Sequence, residues 1–189
     1  MDITIITYLS ILYFLSEFIL MLSKRSKDRK EKIKTQSDKH SLLILWITIS
    51  LTITAAFFNA DWRTWSLVNV IIAYAGVSIL FVGVFIRWIS ITQLNEEFTV
   101  DVSIRKDHHL KTDGLYKIVR HPSYFGLYLI CVGLAIGMNS WTSFLIISIP
   151  LFAALSYRIK IEENALTKEF GEDYSNYKKR TSKLLPKIY

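Results

Sequence analysis

Five blocks of apolar residues divide the chain, each close to the length that a helix needs to cross a lipid bilayer. A helix rises about 1.5 Å per residue, so about 20 apolar residues span the hydrocarbon layer. The blocks cover residues 3–22, 42–60, 65–94, 124–138 and 141–157. The last two are short and adjacent, which predicts a tight helical hairpin. Because every backbone polar group must be satisfied inside lipid, we expect all five blocks to be helices.

This pattern predicts an all-α integral membrane bundle of about five transmembrane helices, with a helical cap formed by the C-terminal segment. The length of 189 residues suits a single domain over residues 1–189. The first block lacks the basic leader and cleavage site of a signal peptide, so we expect it to remain as a span. The single cysteine, Cys131, lies in the fourth block, which excludes an internal disulfide.

Charge predicts the orientation of the spans. The loop after the first block carries eight Lys or Arg against three acids, and the segment from residue 158 onward carries eight against five. The positive-inside rule then places both segments, together with residues 95–121, in the cytoplasm and the N-terminus outside. The net charge of +7 is mainly a topology signal with some attraction to anionic lipids. Nucleic-acid binding is not favoured, because the basic residues flank membrane spans.

Two polar stretches beside the last two spans hold nearly all the unusual polar chemistry. HHLKTDGLYKIVRHPSYFG, residues 108–126, enters the fourth block, and RIKIEENALTKEFGEDYSNYKK, residues 158–179, leaves the fifth. Because these two spans form a hairpin, both stretches reach the same membrane face. Ionisable residues at membrane depth are costly unless they serve a site. The sequence therefore predicts a site that brings Arg120 and His121 beside Arg158, Glu162 and Glu163.

Each of these features also has a simpler interpretation. Pro122 suits the first turn of any helix, and Arg120 could extend to lipid phosphates. Arg158 and Glu162 are four residues apart, which suits a surface pair on one helical turn. The tail helix could merely lie on the membrane interface. In the earlier spans, Arg87 suits extension to the interface better than a role in an acceptor pocket, and Glu17 suits a charge that is paired or near the head groups.

The segment GLYKIVRHPSYFG resembles the G-x-Y-x-x-x-R-H-P-x-Y-x-G signature of the isoprenylcysteine carboxyl methyltransferase family. Residues 158–186 are similar to that family's R-I-x-x-E-E-x-x-L…F-G-x-x-Y-x-x-Y…P tail, and FTVDVSIRKDHHLKTDG fits its approach segment. The resemblance covers about residues 85–189, and the first two spans carry no motif. One departure is Asn95, where the family's pattern would have the small residue of a Leu-Gly pair.

The resemblance implies a multi-pass membrane methyltransferase that uses S-adenosylmethionine, held at the cytoplasmic ends of the last spans. Its partners would be membrane lipids and a prenylated or otherwise lipidic substrate that enters from the bilayer. No Rossmann fold would be involved, and the chain contains no G-x-G-x-x-G segment. A metal site is not expected, because His108 and His109 lack further ligands at a suitable spacing.

The cofactor-binding candidates follow from this resemblance. The rings of His121 and Tyr124 can pack on the adenine, and Glu163 can accept hydrogen bonds from ribose hydroxyls or from the ammonium group. Gly126 lets the cofactor or a neighbouring helix approach the backbone, and Tyr116 could face the sulfonium with its ring. The full predicted set is Tyr116, Arg120, His121, Pro122, Tyr124, Gly126 and Glu163.

Arg158 and Glu162 are the candidate catalytic residues, and they distinguish two classes of acceptor. A carboxylate is already ionised at neutral pH, so it needs orientation rather than a base, and the planar fork of Arg158 suits it. An amine would have to lose a proton, with Glu162 as the base. Arg158 therefore favours the carboxylate of an isoprenylcysteine-like acceptor.

Three alternative functions remain open from the sequence. A phospholipid amine methyltransferase would share the cofactor but not the acceptor. An NADPH-dependent membrane reductase of the sterol type would resemble this family in its last spans. Such an enzyme must neutralise the extra phosphates of NADPH, and it usually needs more than the five helices predicted here. A lipid-binding membrane protein without catalytic activity would make the polar cluster incidental.

Overall fold

The computed structural model describes residues 40–59, 67–94 and 110–188, the strand residues 33–38 and 102–105, and seven helical positions between residues 8 and 19. The α-helices are α1 (His40–Asn59), α2 (Leu67–Leu94), α3 (Pro122–Gly137) and α4 (Trp141–Arg180), and a short 3-10 helix covers Gly114–Lys117. Two strands, β1 (Ile33–Asp38) and β2 (Val102–Arg105), pair antiparallel.

The predicted helical membrane bundle is confirmed. Within the described part of the chain, three helices are long and apolar enough to cross a membrane, namely His40–Asn59, Val70–Leu94 and Trp141–Arg180. Helix α3 is apolar but has only 16 residues. The first predicted span falls largely outside the described residues, and its described positions are helical.

A two-stranded ribbon adds to the helices and was not predicted. Strand β1 precedes α1 and β2 follows α2. Helix α1 starts at one end of the bundle and α2 ends at that same end. The strand before α1 and the strand after α2 therefore lie side by side, and their backbones can pair. The β1 sequence IKTQSD has no alternating apolar pattern, whereas the β2 sequence VSIR does alternate apolar and polar residues and was the available signal for a strand.

Helices α2 and α3 pack backbone to backbone through glycines. A Cβ at Gly83 would lie 2.7 Å from the backbone N of Ile130, and one at Gly126 would lie 2.7 Å from the backbone N of Arg87. Glycine removes these clashes and lets the two helices touch, as small residues do in membrane helix pairs. This contact fixes the first turns of α3 against the part of α2 that carries Arg87.

The chain bends within α4, nine residues before that helix ends, and the part beyond the bend folds back. Gly171 has φ 53° and ψ −116° inside that helix, a conformation open mainly to glycine. Beyond this bend, Lys178 Nζ donates to Thr167 Oγ1 at 3.2 Å. The backbone N of Ser182 donates to the carbonyl of Ile118 at 3.3 Å. The tail therefore closes over the segment that leads into α3 and forms the helical cap.

Candidate active site

The approach to α3 is anchored by Tyr116. Its hydroxyl donates to the carbonyl of Ser90 in α2 at 3.2 Å, and its own carbonyl accepts from the Tyr177 hydroxyl at 2.6 Å. Burial, with the nearby Glu162 carboxylate, raises the pKa of Tyr116 above its usual value, so the phenol stays protonated. Pro122 follows as the first residue of α3, the position predicted for it.

Arg120 joins three segments of the chain at the mouth of α3. Its Nε donates to Glu163 Oε1 at 2.7 Å, and its Nη1 donates to the carbonyls of Lys178, at 3.1 Å, and Thr181. The Arg120 and Glu163 side chains are 8% and 13% exposed. Arg120 is therefore directed at α4 and the tail rather than at lipid phosphates, which contradicts the simpler interpretation.

His121 lies between an aromatic ring and two carboxylates. Its ring stacks on Tyr124 with centroids 5.7 Å apart and an interplanar angle of 23°. Its Nε2 lies 3.5 Å from Glu163 Oε1, and its Nδ1 lies 3.9 Å from Glu162 Oε2. The backbone N of His121 donates to the carbonyl of Lys183 at 3.2 Å, so the tail also holds this residue.

The surroundings of Glu163 keep it ionised. Burial alone would raise its pKa, but the neighbouring His121 and Arg120 outweigh burial and lower the pKa to about 2. The carboxylate is therefore a permanent hydrogen-bond acceptor at neutral pH.

Three buried polar atoms in this cluster have no hydrogen-bond partner among the described residues. They are His121 Nε2, Glu162 Oε2 and the Tyr174 hydroxyl, and Tyr174 interacts electrostatically with both Glu162 and Glu163. An unmet buried polar group costs about 1–3 kcal/mol, so we expect a ligand or ordered water to supply hydrogen bonds to these three atoms. An imidazole, a carboxylate and a phenol can together serve amino and hydroxyl groups, so this set fits the polar parts of S-adenosylmethionine.

Arg158 is buried in α4, with 1% of its surface exposed. Its Nε donates to the Tyr124 hydroxyl at 2.9 Å and its Nη1 to Ser41 Oγ at 2.8 Å. The surface-pair interpretation of Arg158 with Glu162 is therefore wrong. Because Tyr124 also stacks on His121, the guanidinium lies next to the cluster of unmet polar atoms.

A second arginine, Arg87, is buried in α2, although the sequence favoured its extension to the membrane interface. Arg87 is 7% exposed, and its Nε and Nη2 donate to the two carboxylate oxygens of Glu17. Its Nη1 donates to the carbonyl of Ser123 at 3.1 Å and to its hydroxyl at 3.0 Å. Extension to the interface is thus wrong for Arg87, while the pairing expected for Glu17 is confirmed. The sequence did hold one signal for this pair: Glu17 and Arg87 carry opposite charges, and each lies near the predicted cytoplasmic end of its apolar block.

The nine predicted site residues lie at or beside the mouth of α3, in two groups. The first group surrounds the unmet polar atoms or adjoins them, and it consists of Arg120, His121, Tyr124, Arg158, Glu162 and Glu163. The second group packs toward α2 or begins α3, and it consists of Tyr116, Pro122 and Gly126. Of the two uses predicted for Gly126, close approach of a neighbouring helix is the one observed. The described residues contain no group of three His, Cys, Asp or Glu that could hold a metal, and His108 and His109 lie outside them.

Comparisons with known proteins agree with these motifs. A family model described as phospholipid methyltransferase matches residues 71–173. The protein-S-isoprenylcysteine O-methyltransferase of Schizosaccharomyces pombe is 34% identical over 116 residues, which are 60% of this chain and 49% of that protein. Protein-S-isoprenylcysteine O-methyltransferase B of Arabidopsis thaliana is 27% identical over 183 residues, which are 95% of this chain and 90% of that protein.

A solved structure is also similar, that of the eukaryotic intramembrane Ras methyltransferase, an isoprenylcysteine carboxyl methyltransferase. The TM-score is 0.55 with 25% sequence identity, over 78% of this chain and 51% of that one. The chain thus spans about half the length of the Schizosaccharomyces pombe relative and of the solved structure. The family model alone covers more than half of this chain. The chain therefore belongs to the phospholipid methyltransferase family, and the relatives that it resembles within that family are named as isoprenylcysteine methyltransferases.

Proposed function

We propose that the protein transfers a methyl group from S-adenosylmethionine to the carboxylate of a membrane-embedded, isoprenylcysteine-like acceptor. The observation that carries this proposal is the buried Arg158 guanidinium, hydrogen-bonded to the Tyr124 hydroxyl beside the unmet polar atoms of His121, Glu162 and Tyr174. An arginine suited to a carboxylate thus adjoins a cluster suited to a nucleoside. The names of the relatives support the same reaction.

The cofactor end of the site consists of His121, Glu162, Glu163 and Tyr174. S-adenosylmethionine bound there would supply an electrophilic methyl group. Glu163 is available as an acceptor at neutral pH because Arg120 and His121 hold its pKa at about 2. The His121 nitrogen and the Tyr174 hydroxyl would gain the hydrogen bonds that they lack within the described residues. Arg120 would contribute by holding Glu163.

The acceptor end of the site consists of Arg158 and Tyr124. A carboxylate acceptor is ionised at neutral pH, so these residues need only hold it in line and exclude water. Burial of Arg158 serves this purpose, because a dry site strengthens each electrostatic contact. Glu162 then has no proton to remove, and it serves the cofactor end instead.

The test of this function is a methyl-transfer assay with purified protein in lipid vesicles. Methyl-labelled S-adenosylmethionine is offered with a farnesylcysteine acid, with the amide of that acid as a matched control, and with phosphatidylethanolamine. We expect label only with the acid, as a base-labile methyl ester. Label on the amine alone would support phospholipid amine methylation instead. Transfer to none of them would contradict the proposal, and NADPH binding with sterol reduction would favour the reductase.

His121→Ala is expected to weaken S-adenosylmethionine binding by about 1–3 kcal/mol, the cost of removing one buried polar partner. Isothermal titration calorimetry of the variant in detergent measures this loss. The matched control is Asn176→Ala, a replacement of an exposed polar residue on the same cap, which should bind like the parent. Equal affinity in parent and His121→Ala would mean that the cluster holds no cofactor.

We further propose that the N-terminus lies outside and that the active site and C-terminus face the cytoplasm, as the positive-inside rule predicts. The buried Cys131 can be replaced by serine to give a background without thiols. Single cysteines at Lys30 and Asp61 should then react with an impermeant reagent from opposite sides. Labelling of both positions from the same side would contradict this orientation.

A further inference from the structure

A buried ion pair links the N-terminal block to α2, although that block carries no family motif. The Arg87 and Glu17 side chains are 9% and 6% exposed. Burying two charges costs several kcal/mol per ion before their attraction offsets it, and a pair of apolar side chains would fill the same space without that cost. Ionisable residues at membrane depth usually serve a function.

The geometry of the pair directs Arg87 toward α3. The Nε and Nη2 of Arg87 donate to the two oxygens of Glu17, a bidentate arrangement that fixes the plane of the guanidinium. Within that plane, Nη1 donates to both the carbonyl and the hydroxyl of Ser123. The position of the Glu17 carboxylate therefore determines where the first turn of α3 is held.

That first turn carries the acceptor end of the site. Ser123 precedes Tyr124, whose hydroxyl accepts from Arg158. Gly126 lies about one helical turn after Ser123 and allows the α3 backbone to touch the backbone of Arg87. A Cβ added to Gly126 would lie only 2.7 Å from the Arg87 backbone N. A continuous set of contacts thus runs from Glu17 through Arg87 and Ser123 to Tyr124 and Arg158.

We propose that Glu17 is a positioning residue of the active centre, which acts through Arg87 to hold the first turn of α3 in register with Arg158. The inference rests on the proposed function. It makes the motif-free N-terminal helix a part of the enzyme's working site. The cofactor end should be largely independent of it, because the His121 backbone is fastened separately to the carbonyl of Lys183.

The competing account is that the pair only stabilises the bundle. The two accounts differ in a variant that removes both charges, because replacing a buried ion pair with apolar side chains of similar size is often neutral or stabilising. Glu17→Leu combined with Arg87→Met should therefore fold as well as the parent. If the pair positions the site, this folded variant should still be a poor enzyme.

The experiment compares the parent with Glu17→Gln, Glu17→Asp, the double variant Glu17→Leu/Arg87→Met, and the control Ser78→Ala, at an exposed position of α2. Thermal unfolding, cofactor affinity, kcat and acceptor KM are measured for each. We expect kcat to fall at least about tenfold in Glu17→Gln and in the double variant, with cofactor affinity within about threefold of the parent. Glu17→Asp should recover part of the loss, and Ser78→Ala should match the parent.

Two results would overturn the inference. One is a double variant with the parent's stability and turnover, and the other is a loss of turnover in Glu17→Gln that only parallels a loss of folded protein and cofactor binding. If Glu17→Gln does not fold, the double variant decides between the accounts. A parent that methylates no acceptor would instead contradict the proposed function, and this is visible before any variant is compared.

Discussion

Arg120→Gln is expected to release the C-terminal tail from the mouth of α3 and to weaken cofactor binding with it. The guanidinium holds Glu163 and the carbonyls of Lys178 and Thr181 at once. Removing one partner of a buried pair costs about 3–5 kcal/mol, because the other charge is left buried without compensation. Hydrogen exchange should show faster exchange in residues 174–188, while the apolar helices stay protected.

Arg180→Gln is the matched control, since Arg180 is exposed on the same tail. It should change neither the hydrogen exchange of the tail nor cofactor binding.

The ion pair between Arg120 and Glu163 also predicts a pH dependence. The pKa of Glu163 is lowered from 4.5 to about 2 in the folded protein, so its stabilisation is complete above pH 4.5 and is lost as the pH falls toward 2. The tail of the parent should loosen over that range, and Arg120→Gln should show a weaker dependence. Unchanged exchange in Arg120→Gln would mean that the tail is held by its apolar contacts.

The helices and the location of the site could be predicted from the sequence because both depend on local patterns. Apolar blocks of span length become helices in lipid whatever their neighbours are. The short connection between the last two blocks made them a hairpin, and that alone brings His121 close to Glu162 and Glu163. No side-chain geometry was needed for this prediction.

The partners of individual charges could not be predicted, because they depend on how the helices are rotated and how deeply they pack. Arg87 next to Glu17, 70 residues away, leaves no local signal in the sequence. The fold-back of the tail depends on one backbone conformation at Gly171, and helical spacing continues without interruption through that position. A straight tail helix would leave Arg120 without the two carbonyls that it binds, so the same bend decides the role of Arg120.

Arg158→Lys is expected to bind S-adenosylmethionine almost normally and yet to turn over at least tenfold more slowly, a barrier increase of about 1.4 kcal/mol. Lysine keeps the charge but loses the planar fork, so it cannot keep the hydrogen bonds that Arg158 makes to Tyr124 and Ser41 while it also orients a carboxylate. Stopped assays with labelled cofactor measure turnover, and calorimetry measures cofactor binding.

Glu162→Gln completes the test, because the two acceptor classes predict opposite results for the two variants. With a carboxylate acceptor no proton is removed, so we expect Glu162→Gln to have the milder effect on kcat and the rate to show no steep rise through the pKa of a base. An amine-methylating enzyme would need that base, so it would lose most activity in Glu162→Gln, gain rate with pH, and tolerate Arg158→Lys. Lys160→Gln, at an exposed position of the same helix, is the control and should match the parent on either acceptor. If the amine pattern is observed, Arg158 holds the bundle together rather than the acceptor, and the acceptor class proposed above is wrong.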